Sequence, residues 1–157
     1  MQLSIKKPSL FSVVSLLVVS CLLVGGNVQA QFTTGNVVVL QVGNGIQVLT
    51  NTGNSLFLKE FTPAGGTGFS VSIPDVGINA CISSGAATSE DQISRSTDGS
   101  SILIPGYNAS LPYASSLPAT TSLAVPRIIG KVNGCGTYSI ASSSSTFFNA
   151  SNIRGAA

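Results

Sequence analysis

Acidic side chains are the first residues in this chain that would do chemistry. Glu90 and Asp91 are adjacent, and Asp75 and Asp98 lie on either side of them. A glycosidase needs two carboxyls roughly 5–10 Å apart. If residues 90–91 are extended, the two side chains point to opposite faces and do not pair as acid and base from one side. Together with Asp75 and Asp98 they would supply some of the six to eight oxygens of a calcium site. The Asp-x-Asp-x-Asp-Gly spacing of a calcium loop is absent, so solvated turn residues are the expectation. The chain has no His. That removes Ser-His-Asp and Cys-His catalysis, His-bound zinc and a His pH switch.

The remaining candidates give little more. Ser142–Ser145 lacks a Gly-x-Ser-x-Gly frame and a base, and is expected to be a polar loop. Gly43-Asn44-Gly45 and Gly65-Gly66-Thr67-Gly68 lack the lysine of a phosphate loop and are expected to be turns. Lys59, Arg127 and Lys131 are isolated strand charges, expected on solvent faces or protecting sheet edges. Tyr107, Tyr113 and Tyr138 would make a sugar-stacking surface if grouped, but core or loop packing is the expected role. No residue is assigned to catalysis, a cofactor or a metal, and the balance leans against an enzyme.

These residues sit in a 157-residue chain with 43% hydrophobic and only 8% charged residues. Such a composition folds rather than staying disordered. The formal charge of +2 comes from Lys6 and Lys7, which leaves residues 31–157 neutral. A neutral chain has no electrostatic footprint for nucleic acid or an anionic membrane.

Residues 1–30 have the layout of a secretory signal peptide. Lys6-Lys7 precede an apolar run from Leu10 to Val24, and Val28-Gln29-Ala30 places small residues before a cut. About 15 apolar residues are short for a ~30 Å hydrocarbon core, so no membrane association is expected after cleavage. Ser20-Cys21 also has a weak likeness to a lipidation site, but Leu22-Leu23-Val24 continues the apolar run. Removing the signal leaves Cys81 and Cys135, an even pair in an exported chain, so a disulfide is expected. Two small buried thiols are the alternative, because spacing alone does not place the Cα atoms within bridging range. Asn108-Ala-Ser110 and Asn149-Ala-Ser151 are acceptor sequences for N-glycosylation in a eukaryotic secretory pathway.

The elements that carry these residues read as short strands. Asn36–Val42 is a β-branched run, expected to be buried on both faces, and Ser55–Phe61 and Phe69–Ile73 follow it. Ser89–Ser96 leads into Thr97-Asp98-Gly99, a two-residue hairpin signal whose type I′ turn needs φ > 0 at both central residues. Ser101–Ile104 returns, with Pro105-Gly106 expected to end it. Tyr107–Ser122 reads as a surface loop, and Val125–Val132 and Thr137–Ala141 as strands. The segments recur in order. Val37–Gly43 corresponds to Ser101–Gly106, Leu56–Phe61 to Arg127–Val132, and Phe69–Ile73 to Tyr138–Ala141. Asn152–Gly155 resembles Gln92–Arg95, where a further cycle would begin.

Ser94–Ile104 resembles the Ser-x-Asp-Gly hairpin of β-propeller blades. Gly35–Gly45, Leu58–Gly65 and Ala87–Gly99 together resemble the opening of a group of exported, bacterial-type, propeller-like proteins of unknown function. The resemblance implies an all-β fold of antiparallel β-meander repeats, like the blades of an incomplete β-propeller, after an N-terminal signal helix. It covers residues 32–157 and carries no catalytic residues with it. A propeller needs at least four blades of four strands, and this length holds about two and a half, so an N-terminal fragment is expected. The functional expectation is an exported, non-enzymatic scaffold or binding protein with an unknown protein or glycan partner. The alternatives are an enzyme whose catalytic residues lie in missing downstream blades, or a complete small secreted structural or adhesive β-domain.

Overall fold

The computed structural model describes residues 31–156. The expected signal segment, with its helix and Cys21, lies outside the described residues. Everything regular in the described residues is antiparallel β-structure, in two sheets. The first is a three-stranded meander of β1 (Val37–Val42), β2 (Leu56–Phe61) and β3 (Thr67–Ser72). The second is a four-stranded meander of β4 (Ser94–Arg95), β5 (Ser101–Tyr107), β6 (Arg127–Asn133) and β7 (Tyr138–Ser144).

Strand β2 shows how the pattern selects its faces. Leu56, Leu58 and Glu60 are buried, while Phe57, Lys59 and Phe61 are partly exposed, the period of two that a strand imposes. Leu56 and Leu58 join Val71 and Ile73 from the first sheet side, and Ile104, Ile128 and Val132 from the second, in one core. The two meanders therefore share a hydrophobic face rather than packing as separate units. A second, smaller core under the long loop holds Ile82, Tyr107, Leu117, Val125 and Ile153.

Several elements differ from the sequence expectation. Strand β1 is an edge strand with Val37 and Val39 exposed, not a strand buried on both faces. A β-branched run looks the same in either place. The β4–β5 turn is a four-residue loop closed by Ser96 N–H to Ser101 O (2.9 Å) and Gly99 N–H to Ser96 O (2.7 Å). Only Gly99 has positive φ, +70°, so the two-residue type I′ turn is not formed. Asp98 instead accepts hydrogen bonds from the Ser96 hydroxyl and from the Ser100 amide and hydroxyl (2.6–3.0 Å). Those donors hold its carboxyl down at about pKa 2. Strand β7 continues through Ser142–Ser144, which pair with Ile129, Ile128 and Arg127.

Strand β5 does not stop at Pro105-Gly106. Tyr107 exchanges hydrogen bonds with Ile82 (2.9 and 3.1 Å), on the side away from β6. Pro105, two residues earlier, turns its nitrogen to that same side, between the end of β4 and Ile82, where no ladder partner needs its missing N–H. Gly106 is required for a different reason. A Cβ there would overlap Cys81 Sγ and stand 3.2 Å from Ile82 O. Gly106→Ala is expected to lower the unfolding free energy by about 2–3 kcal/mol, the usual cost of overpacking. Adding Cys81→Ala removes the overlapping sulfur and should restore part of the loss in chemical denaturation. No recovery would show that the close Ile82 carbonyl, rather than the sulfur, is what requires glycine here.

The Cys81–Cys135 bridge is not formed. Cys81 is a free thiol in the core, and Cys135 is a free, exposed thiol in the β6–β7 turn. Burial pushes the Cys81 thiol up to about pKa 12, so it is held as an inert protonated group.

Candidate functional site

A buried cluster beneath the second core and an open groove between the sheets are the candidate places where polar groups come together. Ser83 anchors the cluster. Its backbone is fixed from both directions by Asn54, with Asn54 N–H to Ser83 O at 2.8 Å and Ser83 N–H to Asn54 O at 3.2 Å. The chain then leaves through Gly85 and returns at Glu90-Asp91. Asp91 has φ +65°, in the left-handed region that Asp tolerates better than most residues.

That conformation corrects the expectation that Glu90 and Asp91 point apart. Both reach one hydroxyl: Ser83 Oγ lies 2.5 Å from Asp91 Oδ1 and 3.2 Å from Glu90 Oε2. Opposite-face geometry holds for extended backbone, and these two residues are not in a strand. Glu90 also accepts from Tyr107 Oη (2.6 Å) and Ser84 N–H (3.3 Å). Burial raises the pKa of the Glu90 carboxyl. Burial also pushes Asp91 to about pKa 6, against the Ser83 hydroxyl and with help from the Glu90 charge.

A proton count follows from the contacts. A serine hydroxyl carries one proton and donates to one carboxylate. Two carboxyl contacts at Ser83 Oγ are both hydrogen bonds only when one acid is protonated and donates. Asp91, with the closer contact and a pKa pushed up to about 6, meets that condition only below about pH 6. In that protonated state the chain runs from Asp91 to Ser83 to Glu90, with Tyr107 donating from the far side, and at higher pH Ser83 donates to the Asp91 carboxylate.

Arg127 completes the cluster from β6 and overturns its expected place on a solvent face. It is 2% exposed, and its guanidinium carbon lies 4.9 Å from the Tyr107 ring centroid. Nη1 donates to Thr120 Oγ1 (3.0 Å) and Val125 O (2.7 Å), and Nη2 to Thr120 O (2.7 Å) and Ser151 O (3.2 Å). One side chain thus ties the long loop, β6 and the C-terminal segment together. The sequence carried no signal for this, because its partners are loop groups, three backbone carbonyls and the Thr120 hydroxyl among them.

The other candidates are dispersed. Asp75 accepts from Ser55 Oγ (2.7 Å), and Asp98 caps its own turn. No group of three His, Cys, Asp or Glu converges on one point among the described residues. Tyr107 is fully buried, Tyr138 packs over Gly130, and Tyr113 lines a separate hollow with Asp75 and Leu111, so the three tyrosines form no common surface. Asn108 lends its amide to Ile78 O (3.1 Å) and Ala80 O (2.8 Å), whereas exposed Asn149 only accepts from Ser122 N–H (3.0 Å).

The groove holds about 520 Å³. Its walls are Phe32–Asn36 on one side and Ile93–Arg95 with Gly99–Ile102 on the other, and Val132–Gly134 closes one end. Half-buried Val38, Ile93 and Ile102 contribute apolar surface, and Thr33, Thr34, Ser94 and Ser100 contribute hydroxyls. Arg95 is its one charged residue, fixed by Nε to Gly99 O (2.9 Å). Buried Glu60 holds the Phe32–Asn36 wall in place, accepting from Thr33 N–H at 2.5 Å and Phe69 N–H at 2.8 Å. Comparison with family models, with curated proteins and with solved structures finds no match to this chain.

Proposed function

We propose that the chain is an exported, non-enzymatic, propeller-like β-scaffold that binds an extended segment of a partner protein in the groove between its sheets. The groove is the observation that carries this reading: about 520 Å³, open, with apolar surface and hydroxyl-bearing walls. Aliphatic surface with scattered hydroxyls suits alternating side chains and backbone groups of an extended peptide. A glycan site would want an exposed aromatic ring, and the groove's single aromatic, Phe32, is already packed edge-on against Phe69. Export is supported by the signal pattern of residues 1–30. The propeller-like reading is supported by the order of the meanders: β1, β2 and β3 correspond in sequence to β5, β6 and β7. The buried cluster serves this scaffold as a tie beneath the groove-bearing sheets.

Panning a displayed peptide library against residues 31–157 tests the binding reading, with Thr34→Arg as the counter-target. Thr34 is exposed on the groove wall, so the arginine obstructs the groove without entering the core. Enriched peptides should bind Thr34→Arg at least tenfold more weakly. Absence of enrichment, or equal binding to both proteins, would overturn the proposal.

A further inference from the structure

Tight packing at the head of the described chain starts at Phe32. Its N–H donates to Gly134 O (3.0 Å), and its ring meets Phe69 edge-on, with centroids 5.4 Å apart at 64°. Gly136 leaves the room for this contact, because a Cβ there would come within 2.6 Å of the Phe69 ring. Thr33 N–H then goes to Glu60. Gln31, one residue earlier, is exposed, and its side chain makes no hydrogen bond to the described residues. The expected signal cut falls between Ala30 and Gln31. Cleavage there leaves a glutamine with a free α-amine and an unengaged side-chain amide, immediately ahead of a fixed residue.

We infer that Gln31 is a self-capping N-terminus that closes to pyroglutamate. The α-amine nitrogen attacks the side-chain Cδ carbonyl, a C–N bond forms, and the side-chain nitrogen leaves as ammonia. The step is redox-neutral and needs no second substrate. The product has no terminal charge and no free amine for an aminopeptidase to grip. It shields Phe32 and Thr33 from trimming, and with them the N–H that Glu60 accepts. The Phe32–Asn36 wall of the groove is thereby protected from its N-terminal side.

This inference rests on the export reading, and mass spectrometry of the N-terminal peptide from the natively secreted protein separates the two. The expected peptide starts at residue 31 and is one ammonia lighter than its sequence. Gln31→Glu, prepared alongside, should keep its full mass and a free amine, because loss of water from glutamate is far slower. A wild-type peptide starting at Gln31 with a free amine would overturn the cap and leave export standing. A peptide that starts elsewhere or retains earlier residues would overturn the cap together with the cut it depends on.

Discussion

Replacing Arg127 by Met is expected to lower the unfolding free energy by about 4 kcal/mol, within the range for breaking a buried charged network. Methionine restores much of the volume but none of the donors. The acceptors at Thr120, Val125 and Ser151 lose their partner together, in surroundings where Arg127 itself is 2% exposed. An unsatisfied buried acceptor costs roughly 1–3 kcal/mol, less where water reaches it. The melting temperature should fall by roughly 15 °C for a domain of this size. Arg127→Lys should be nearly as harmful, since one ammonium does not span acceptors on both the long loop and the C-terminal segment. Hydrogen exchange should quicken most at Ile153, whose segment is held through Ser151 O. Chemical denaturation checks the first figure. A loss below about 1 kcal/mol in Arg127→Met would show that the loops hold one another without it.

The second large effect concerns pH. The Asp91 carboxyl is raised from 3.8 to about 6 in the fold. Between those values the native state holds a proton that the unfolded state has released, so stability falls as pH rises through the window. The contribution is roughly 3 kcal/mol, present below about pH 4 and gone by neutrality. Asp98 and Glu60 act in the opposite sense. Their carboxyls are held below the ordinary range by serine donors and by the Phe69 and Thr33 amides. Their support is present above the ordinary carboxyl pKa and is lost as pH falls. Stability should therefore peak at about pH 4–5 rather than near neutrality. Asp91→Asn keeps the shape and tolerates φ +65°, while removing the charge that Glu90 opposes. It should be the more stable protein at neutral pH, with a flatter profile above pH 4. Glu90, Tyr107 and Arg127 face the same cluster, and none of them changes in this variant. A neutral-pH loss in Asp91→Asn would mean that the ionised carboxylate is the form the fold uses.

Phe69–Ile73 was legible because it carries openly the period of two that a strand imposes, whereas in Leu56–Phe61 that period shows only in the burial, with Glu60 on the inner face. Strand ends were not legible. Pro105 looked like a terminator, but it lies where the neighbouring strand has already ended, which is a fact of pairing rather than of composition. Ser142–Ser144 are polar because they lie on an exposed edge strand, and polarity alone suggested a loop. The Glu90-Asp91 pair was visible as two adjacent acids. Its convergence on Ser83 depends on one left-handed residue that no local pattern announces. Arg127 was the largest misplacement. A lone arginine at a strand start reads as solvent-facing until the carbonyls that surround it are known. The groove was not legible at all, since its walls come from segments some sixty and a hundred residues apart in the chain.

The most direct test of the binding proposal is an amide NMR map of residues 31–157 titrated with the tightest peptide from the panned library. Shifts confined to Thr33–Asn36, Ser94–Arg95, Ser100–Ile102 and Asn133–Gly134 would trace the groove and are the expected result. Shifts centred instead on Thr50–Ser55 and Leu111–Tyr113, around the separate hollow, would contradict it, as would a saturating peptide that leaves the groove amides unmoved.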